Sequence, residues 1–300
     1  MTLQVLYRGP LESCNYGCAY CPFAKRIEDP AARARDEAAL ERFVDHVAAD
    51  SRQRWAIFFT PWGEALVRTA YQRAIGRLTR MAHVERVALQ TNLSVSARWL
   101  RRAEPAKVGL WCTFHPTETD RGSFVRRVLA HRAAGATVSV GVVGMPAHLA
   151  AARALREALP EDVYLWINAA KRTHGAYDEA LRSAFRAIDP HFETNTFRHR
   201  SRGEACATGW DTISVDGRGD VRRCHFVPEV LGNLYDGTFA PARRPCPNET
   251  CGCHIGYVHL DRLGLRALYG SGLLERSLPT SRRLPVVGAP RARIASTCQS

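Results

Sequence analysis

Apolar residues recur along the first two thirds of the chain in two alternating patterns. Short runs with the period of a strand are followed by longer amphipathic stretches with the period of a helix. The short runs fall at residues 3–7, 55–59, 84–90, 108–114, 137–143 and 163–167. Helical patterns fill 31–49, where Leu40, Phe43, Val44 and Val47 share one face, and 65–80, 97–103, 124–134, 148–159 and 177–188. Gly135, Pro160 and Asp189-Pro190 stand just past three of these helices, where helices commonly stop. Six β/α units in order predict an α/β fold with a parallel sheet and helices outside it. Eight units would close a full barrel, so six predict a partial (β/α)6 barrel of TIM type, open on one side. In such sheets active sites gather at the carboxyl ends of the strands.

After about residue 195 the alternation stops. Residues 213–221 read as two short strands about a turn containing Gly217 and Gly219. The remainder consists of loops carrying cysteines. The expected organisation is a barrel over 1–195, a small cysteine-rich domain over 196–275, and a basic, loosely held tail over 276–300.

Charge changes this picture little. The formal net charge is +13 at pH 7, which would suit a polyanion partner. Nearly all of it is Arg, the only lysines being Lys25, Lys107 and Lys171, and it is spread along helices rather than gathered in one block. That distribution argues against nucleic acid as partner. The uncharged stretch 133–152 is long enough to span a bilayer, but it contains Gly135, Gly141, Gly144, Pro146 and His148, and 137–140 alternates as a strand does. A strand, a turn and a helix start explain it better than a membrane span. Met1-Thr2-Leu3-Gln4 begins no export signal, so a cytosolic protein is expected, and its clustered thiols read as metal ligands rather than disulfides.

Three of the ten cysteines stand in the run Cys14-Asn15-Tyr16-Gly17-Cys18-Ala19-Tyr20-Cys21. Three thiolates so close together suit a [4Fe–4S] cluster and leave one iron without a protein ligand, open for chemistry. A zinc site would normally want four protein ligands. The C-x3-C-x2-C spacing, with an aromatic before the last Cys, resembles the cluster loop of the radical S-adenosylmethionine (radical SAM) superfamily. The resemblance implies that Cys14, Cys18 and Cys21 bind three irons and that S-adenosylmethionine chelates the fourth. One-electron cleavage of that cofactor then gives a 5′-deoxyadenosyl radical, which takes a hydrogen atom from the substrate.

Other cofactor contacts follow from the same resemblance. Tyr20 matches the aromatic near the adenine. Phe59-Thr60-Pro61-Trp62-Gly63-Glu64-Ala65-Leu66 stands where the family carries Gly-Gly-Glu-Pro, which holds the ammonium of the cofactor. Gly63 and Glu64 are kept, while Trp62 and Ala65 depart from the pattern. The alternative for Glu64 is a solvated acid in the first turn of a helix. Asn92, ending the third strand, could reach the cofactor's ribose or carboxylate, or simply form a turn. Asn168, placed past the sixth strand, is a further candidate for the adenine side.

Cys206 and Cys224 flank Gly219 with twelve and four intervening residues, and Cys246, Cys251 and Cys253 follow. The pattern resembles the opening of the SPASM and twitch domains, which hold auxiliary iron–sulfur clusters. Five cysteines suffice for one four-ligand cluster, so the twitch-like version is expected, with structural zinc as the alternative. Which four ligate is open, and His254 is a conceivable substitute for one of them. Cys112 reads as a core thiol, Cys298 as an unligated thiol of the tail, and His115 as an acid or base facing the substrate or as a loop histidine. No metalloprotease, Walker or dinucleotide-binding motif is present.

The expectation is a radical SAM oxidoreductase or maturase with two [4Fe–4S] clusters. It would modify a peptide or protein by oxidation or cross-linking, with a small molecule such as a sugar derivative as the alternative, and draw electrons from a ferredoxin or flavodoxin. A non-catalytic iron–sulfur carrier or zinc module is the reading of another class, and the barrel-length β/α region argues against it.

Overall fold

The structure is a computed structural model and describes residues 1–23, 26–170 and 177–279. Its first part repeats strand and helix as the apolar pattern predicts. The order is β1 (Thr2–Arg8), α1 (Pro30–Ala49), β2 (Arg54–Phe59), α2 (Thr69–Thr79), β3 (Val84–Thr91), β4 (Val108–Phe114), α3 (Arg121–Ala133), β5 (Thr137–Gly144), α4 (Leu149–Ala158), β6 (Leu165–Ala169) and α5 (Glu179–Arg186). Three helix starts are fixed by side chains. Asp29, Asp120 and Asp178 accept backbone N–H groups of Ala32, Ser123 and Leu181 at 2.6, 2.8 and 2.7 Å. Strands β1 to β6 run parallel in chain order, as a partial (β/α)6 barrel requires.

Some boundaries differ from the sequence reading, for local reasons. The connection between β3 and β4 contains only 3₁₀ turns, Ala97–Arg102 and Pro105–Lys107, which bury Trp99 and Leu100 without a full helix. Helix α2 begins at Thr69 rather than 65, because the chain before it folds round a carboxylate: Leu66 N donates to Glu64 Oε1 at 3.0 Å and Arg68 N to Ala65 O at 2.9 Å. Asn168 lies inside β6, not past it.

The second part continues as α6 (Phe192–Thr196), β7 (His199–Arg200), β8 (Thr212–Asp216), β9 (Asp220–Arg222), β10 (Val230–Asn233), β11 (Thr250–Cys251), α7 (His254–Tyr257) and α8 (Leu265–Tyr269). The expected hairpin is β8–β9. Gly219 takes φ +90 at its turn, with the Tyr235 ring so close that a Cβ would overlap it. Strand β8 also pairs in parallel with β1, from Gln4 opposite Thr212 to Arg8 opposite Asp216. One nine-stranded sheet therefore runs β10-β9-β8-β1-β2-β3-β4-β5-β6, and the cysteine-rich part begins as an extension of the barrel. Among the described residues β6 and β10 are its edges and do not pair with each other, so the barrel stays open.

Strand alternation divides the core in two. Val5, Tyr7, Ile57, Phe59, Val87 and Leu89 pack outward with α1 and α2. Leu6, Phe58, Ala88, Trp111 and Trp166 share the opposite core cluster with Ile255, Tyr257, Leu260, Tyr269 and Leu274 from the carboxyl-terminal segment. That segment fills the lower concave face. Buried Glu275 pairs with Arg86 of β3, and Arg276, 1% exposed, lies 4.9 Å from the Trp166 ring and 5.6 Å from that of Trp111. The expectation of a loose tail from 276 is thereby corrected: Arg276 and Ser277 are buried because they complete this core. Residues 280–300, with Cys298, lie outside the described residues.

The uncharged stretch 133–152 is the end of α3, β5, a 3₁₀ turn and the start of α4. Among the described residues no helix is long and apolar enough to cross a membrane. Glu275 is 1% and Arg86 17% exposed, so removing one partner strands a charge where water cannot compensate it. Glu275→Ala should lower unfolding free energy by about 3 kcal/mol at neutral pH, read as a shift of the urea midpoint.

Candidate active site

The carboxyl end of β1 runs directly into the loop of Cys14, Cys18 and Cys21. This loop is pinned from below by a buried polar group that sequence reasoning did not identify. Glu28, only 8% exposed, accepts from Glu12 N at 2.7 Å and Ser13 Oγ at 2.8 Å, and pairs with Arg68 at 2.9 Å. Arg68 also donates to Ser13 Oγ at 2.6 Å. The loop after β2 then closes on the same residue: Glu64 N donates to Ser13 O at 3.0 Å. A Cβ on Gly63 would lie 2.0 Å from Ser13 O, so only glycine permits this approach.

Glu64 does not stand in water at a helix start. It is 3% exposed, and its carboxylate joins the ends of β2 and β3. Oε1 accepts from Thr91 Oγ1 at 2.7 Å and Leu66 N at 3.0 Å; Oε2 accepts from Asn92 N at 2.6 Å. Oε1 is thus saturated, while Oε2 keeps one lone pair. Burial pushes the Glu64 carboxyl up to about 7, against the pull of those three hydrogen bonds. Asn92 forms a turn, its Oδ1 accepting from Ser94 N at 3.0 Å, and also buttresses the cysteine loop. Its Nδ2 donates to Asn15 Oδ1 at 3.0 Å and to Cys14 Sγ at 3.7 Å.

On the other flank, β4 delivers His115. Its Nδ1 lies 2.9 Å from Tyr20 Oη and 3.3 Å from Cys18 Sγ. The Tyr20 and His115 rings stack with centroids 5.9 Å apart, and His148 meets Tyr20 edge-on at 5.0 Å. Burial drives His115 down to about 4, outweighing the opposing effect of Glu118, so the ring is neutral at pH 7. Glu118 in turn accepts from Gly17 N at 3.1 Å. Asn168 stands exposed on β6 with the parity of inward-facing Trp166.

Among the described residues no three His, Cys, Asp or Glu side chains converge as a preformed metal site. Cys14 Sγ accepts from Tyr16 N at 3.4 Å, Cys18 faces His115, and Cys21 Sγ donates to Phe23 O at 3.6 Å. Cys14 and Cys18 are nevertheless each within electrostatic reach of Cys21. Burial pushes Cys18 up to about 11, and Cys14 upward too. These thiols would be deprotonated by binding a soft cation. Three soft donors on one loop fit an iron–sulfur cluster.

The carboxyl-terminal thiols form a second group. Burial pushes Cys224 up to about 11, with Cys206 and Cys246 adding to it. Burial likewise pushes Cys251 up to about 12, with Cys224, Cys253 and Cys206 adding. Cys206, Cys224, Cys246 and Cys251 are therefore linked electrostatically, whereas exposed Cys253 also reaches Arg8 at the mouth of the barrel. Beside Cys224, half-buried His225 ties the two halves of the site together. Its Nε2 lies 2.8 Å from Thr60 Oγ1 after β2, and its Nδ1 2.5 Å from Ser214 Oγ of β8. Neither Glu28 nor His225 carries a motif; Arg8 could have been found by parity, since Gln4, Leu6 and Arg8 alternate with the core residues Leu3, Val5 and Tyr7.

No family model matches the sequence, and no curated protein aligns with it significantly. Solved structures share the fold. A histidine-tagged anSMEcpe with bound AdoMet superposes with a TM-score of 0.54 at 15% identity, covering 79% of each chain. Native anSMEcpe with bound AdoMet and Cp18Cys peptide gives 0.52 at 15% identity, again over 79% of each chain. Streptococcus suis SuiB bound to S-adenosylmethionine gives 0.52 at 11% identity, over 78% of this chain and 63% of that one.

The raised Glu64 carboxyl has a pH signature. Between its ordinary value of 4.5 and about 7, the native protein holds a proton that the unfolded chain releases. The group's stabilising contribution is complete below 4.5 and falls as pH rises to about 7. Stability of the wild type relative to Glu64→Gln should decline across that window and then level. Urea titrations at a series of pH values check this; a difference that stays flat contradicts it.

Proposed function

We propose that this chain, which has the fold of the radical SAM enzymes, is a member of that superfamily acting on a peptide or protein side chain. The carrying observation is the clamp at the barrel mouth, where Ser13, Gly63-Glu64 and Asn92 fix the cysteine loop against the ends of three adjacent strands. Cys14, Cys18 and Cys21 would hold the cluster. Bound there with S-adenosylmethionine, it would supply the single electron for cleaving that cofactor, the chemistry by which a hydrogen atom is taken from a substrate.

The protein's own residues position and insulate. The Gly63 backbone and the remaining lone pair of Glu64 Oε2 are the groups available to the cofactor's ammonium, while the Glu64 carboxylate keeps the Asn92 turn beside Cys14. Tyr20, locked by His115 and His148, offers an aromatic face for the adenine, with Asn168 on the same side of the barrel. Neutral His115 holds the Tyr20 hydroxyl rather than delivering a proton at pH 7. Cys206, Cys224, Cys246 and Cys251 would hold an auxiliary cluster able to accept the electron left on the substrate, making the net reaction an oxidation or cross-link. Support for a peptide substrate is the exposed, stacked pair Phe23 and Trp62, and the peptide held by a protein of the same fold.

Anaerobically reconstituted, reduced protein given S-adenosylmethionine should release 5′-deoxyadenosine, and Cys14→Ala should bring it to background. No release with both clusters verified would end the enzyme reading. The Cys14→Ala/Cys18→Ala/Cys21→Ala protein should keep about four irons per chain. Zinc without iron there would remove the auxiliary cluster from the account.

A further inference from the structure

One charged group at the mouth is left without a counterpart. Arg8 closes β1 with the parity of inward-facing Leu6, half-buried beneath the cysteine loop. Its Nε donates to Thr60 O at 2.8 Å, which fixes the plane of the guanidinium. The Trp62 ring, itself stacked on Phe23 at 6.3 Å, lies 5.6 Å from the guanidinium carbon. Among the described residues no carboxylate pairs with it and no protein group accepts from Nη1 or Nη2. The nearest acid in register, Asp216, is taken by Arg222 at 3.0 Å and Arg218 at 3.5 Å. Two other charged groups of the barrel are paired, Glu28 with Arg68 and Glu275 with Arg86.

A half-buried guanidinium whose two Nη nitrogens are free presents a planar fork matched to a carboxylate. Its position is that of a substrate contact. Thr60 leads through Trp62 to Gly63 and the cysteine loop on one side, while His225 and Cys253 join Arg8 to the second cysteine group on the other. Burial lowers Arg8 to about 10, and the Cys253 thiol pulls weakly the other way, so the group stays cationic while lacking a strong anion. We propose that Arg8 selects the substrate by receiving a substrate carboxylate, with Trp62 covering the ion pair. This rests on the radical SAM reading of the same site. The anion is assigned to the substrate rather than the cofactor because Thr60, which Arg8 bonds, contacts His225 next to Cys224, and Cys253 lies within electrostatic reach of Arg8.

Binding is the test, since it does not require turnover. Reconstituted protein loaded with S-adenosylmethionine is equilibrated with capped hexapeptides carrying one Asp or Glu, and with a matched set carrying Asn or Gln. Radiolabelled glutarate is run separately as a free small dicarboxylate. The wild type should retain acidic peptides or glutarate at least about tenfold over the amide set, roughly 1.4 kcal/mol. Arg8→Gln should abolish that preference and leave S-adenosylmethionine retention within about twofold, and Arg8→Lys, a charge without the fork, should fall between. Retention of peptides identifies a peptide carboxylate; retention of glutarate alone identifies a small-molecule one. Equal retention of both peptide sets without retention of glutarate, survival of the preference in Arg8→Gln, or a tenfold loss of cofactor binding in that variant would each overturn the proposal. Failure of the radical SAM reading is seen separately, as absence of iron at the first cysteine loop or of 5′-deoxyadenosine from the wild type.

Discussion

The site depends on one close backbone contact, that of the Gly63-Glu64 peptide with Ser13. The Glu64 N–H reaches Ser13 O at 3.0 Å only because position 63 has no side chain. Through that contact the end of β2 fixes where Cys14 begins, and through its carboxylate Glu64 fixes Asn92, which touches Cys14 from β3. A flexible loop of thiols is thereby held by the rigid ends of three parallel strands. Reactive positions on a loop become usable when a scaffold sets them this way.

A second constraint is the filling of the barrel. Six strands leave a concave face that cannot remain empty, and residues 254–277 supply the missing core from the far end of the chain. The same polypeptide that carries the second cysteine group also seals the barrel floor, so the position of that group is tied to folding of the first half. His225 repeats the connection near the top, bridging Thr60 and Ser214. Arg8, half-buried, and Asn168, exposed, stand on β1 and β6 with the parity of the inward-facing Leu6 and Trp166.

Much of this was legible in the sequence because its physical signals are local. Strand and helix periods located the six units, and the run Cys14 to Cys21 was placed at the carboxyl end of the first strand, where it stands. What was misread depends on contacts between distant segments. The alternative of a solvated helix-start acid at Glu64 could not be set aside, because two of its three donors come from Thr91 and Asn92, far along the chain. Arg276 looked like part of a basic tail because its tryptophan partners lie on β4 and β6. Parallel pairing of β8 with β1 was invisible for the same reason, since a two-residue-period strand does not announce its neighbour.

The central claim is that the cysteine loop held by this clamp carries a cluster with one iron open to the cofactor. Electron paramagnetic resonance of reduced Cys206→Ala/Cys224→Ala protein, in which only the first loop retains its full set of thiols, tests it most directly. Adding S-adenosylmethionine should shift the cluster's g values, because the cofactor becomes a ligand of that iron. An iron–sulfur signal that does not change at saturating cofactor would contradict the account.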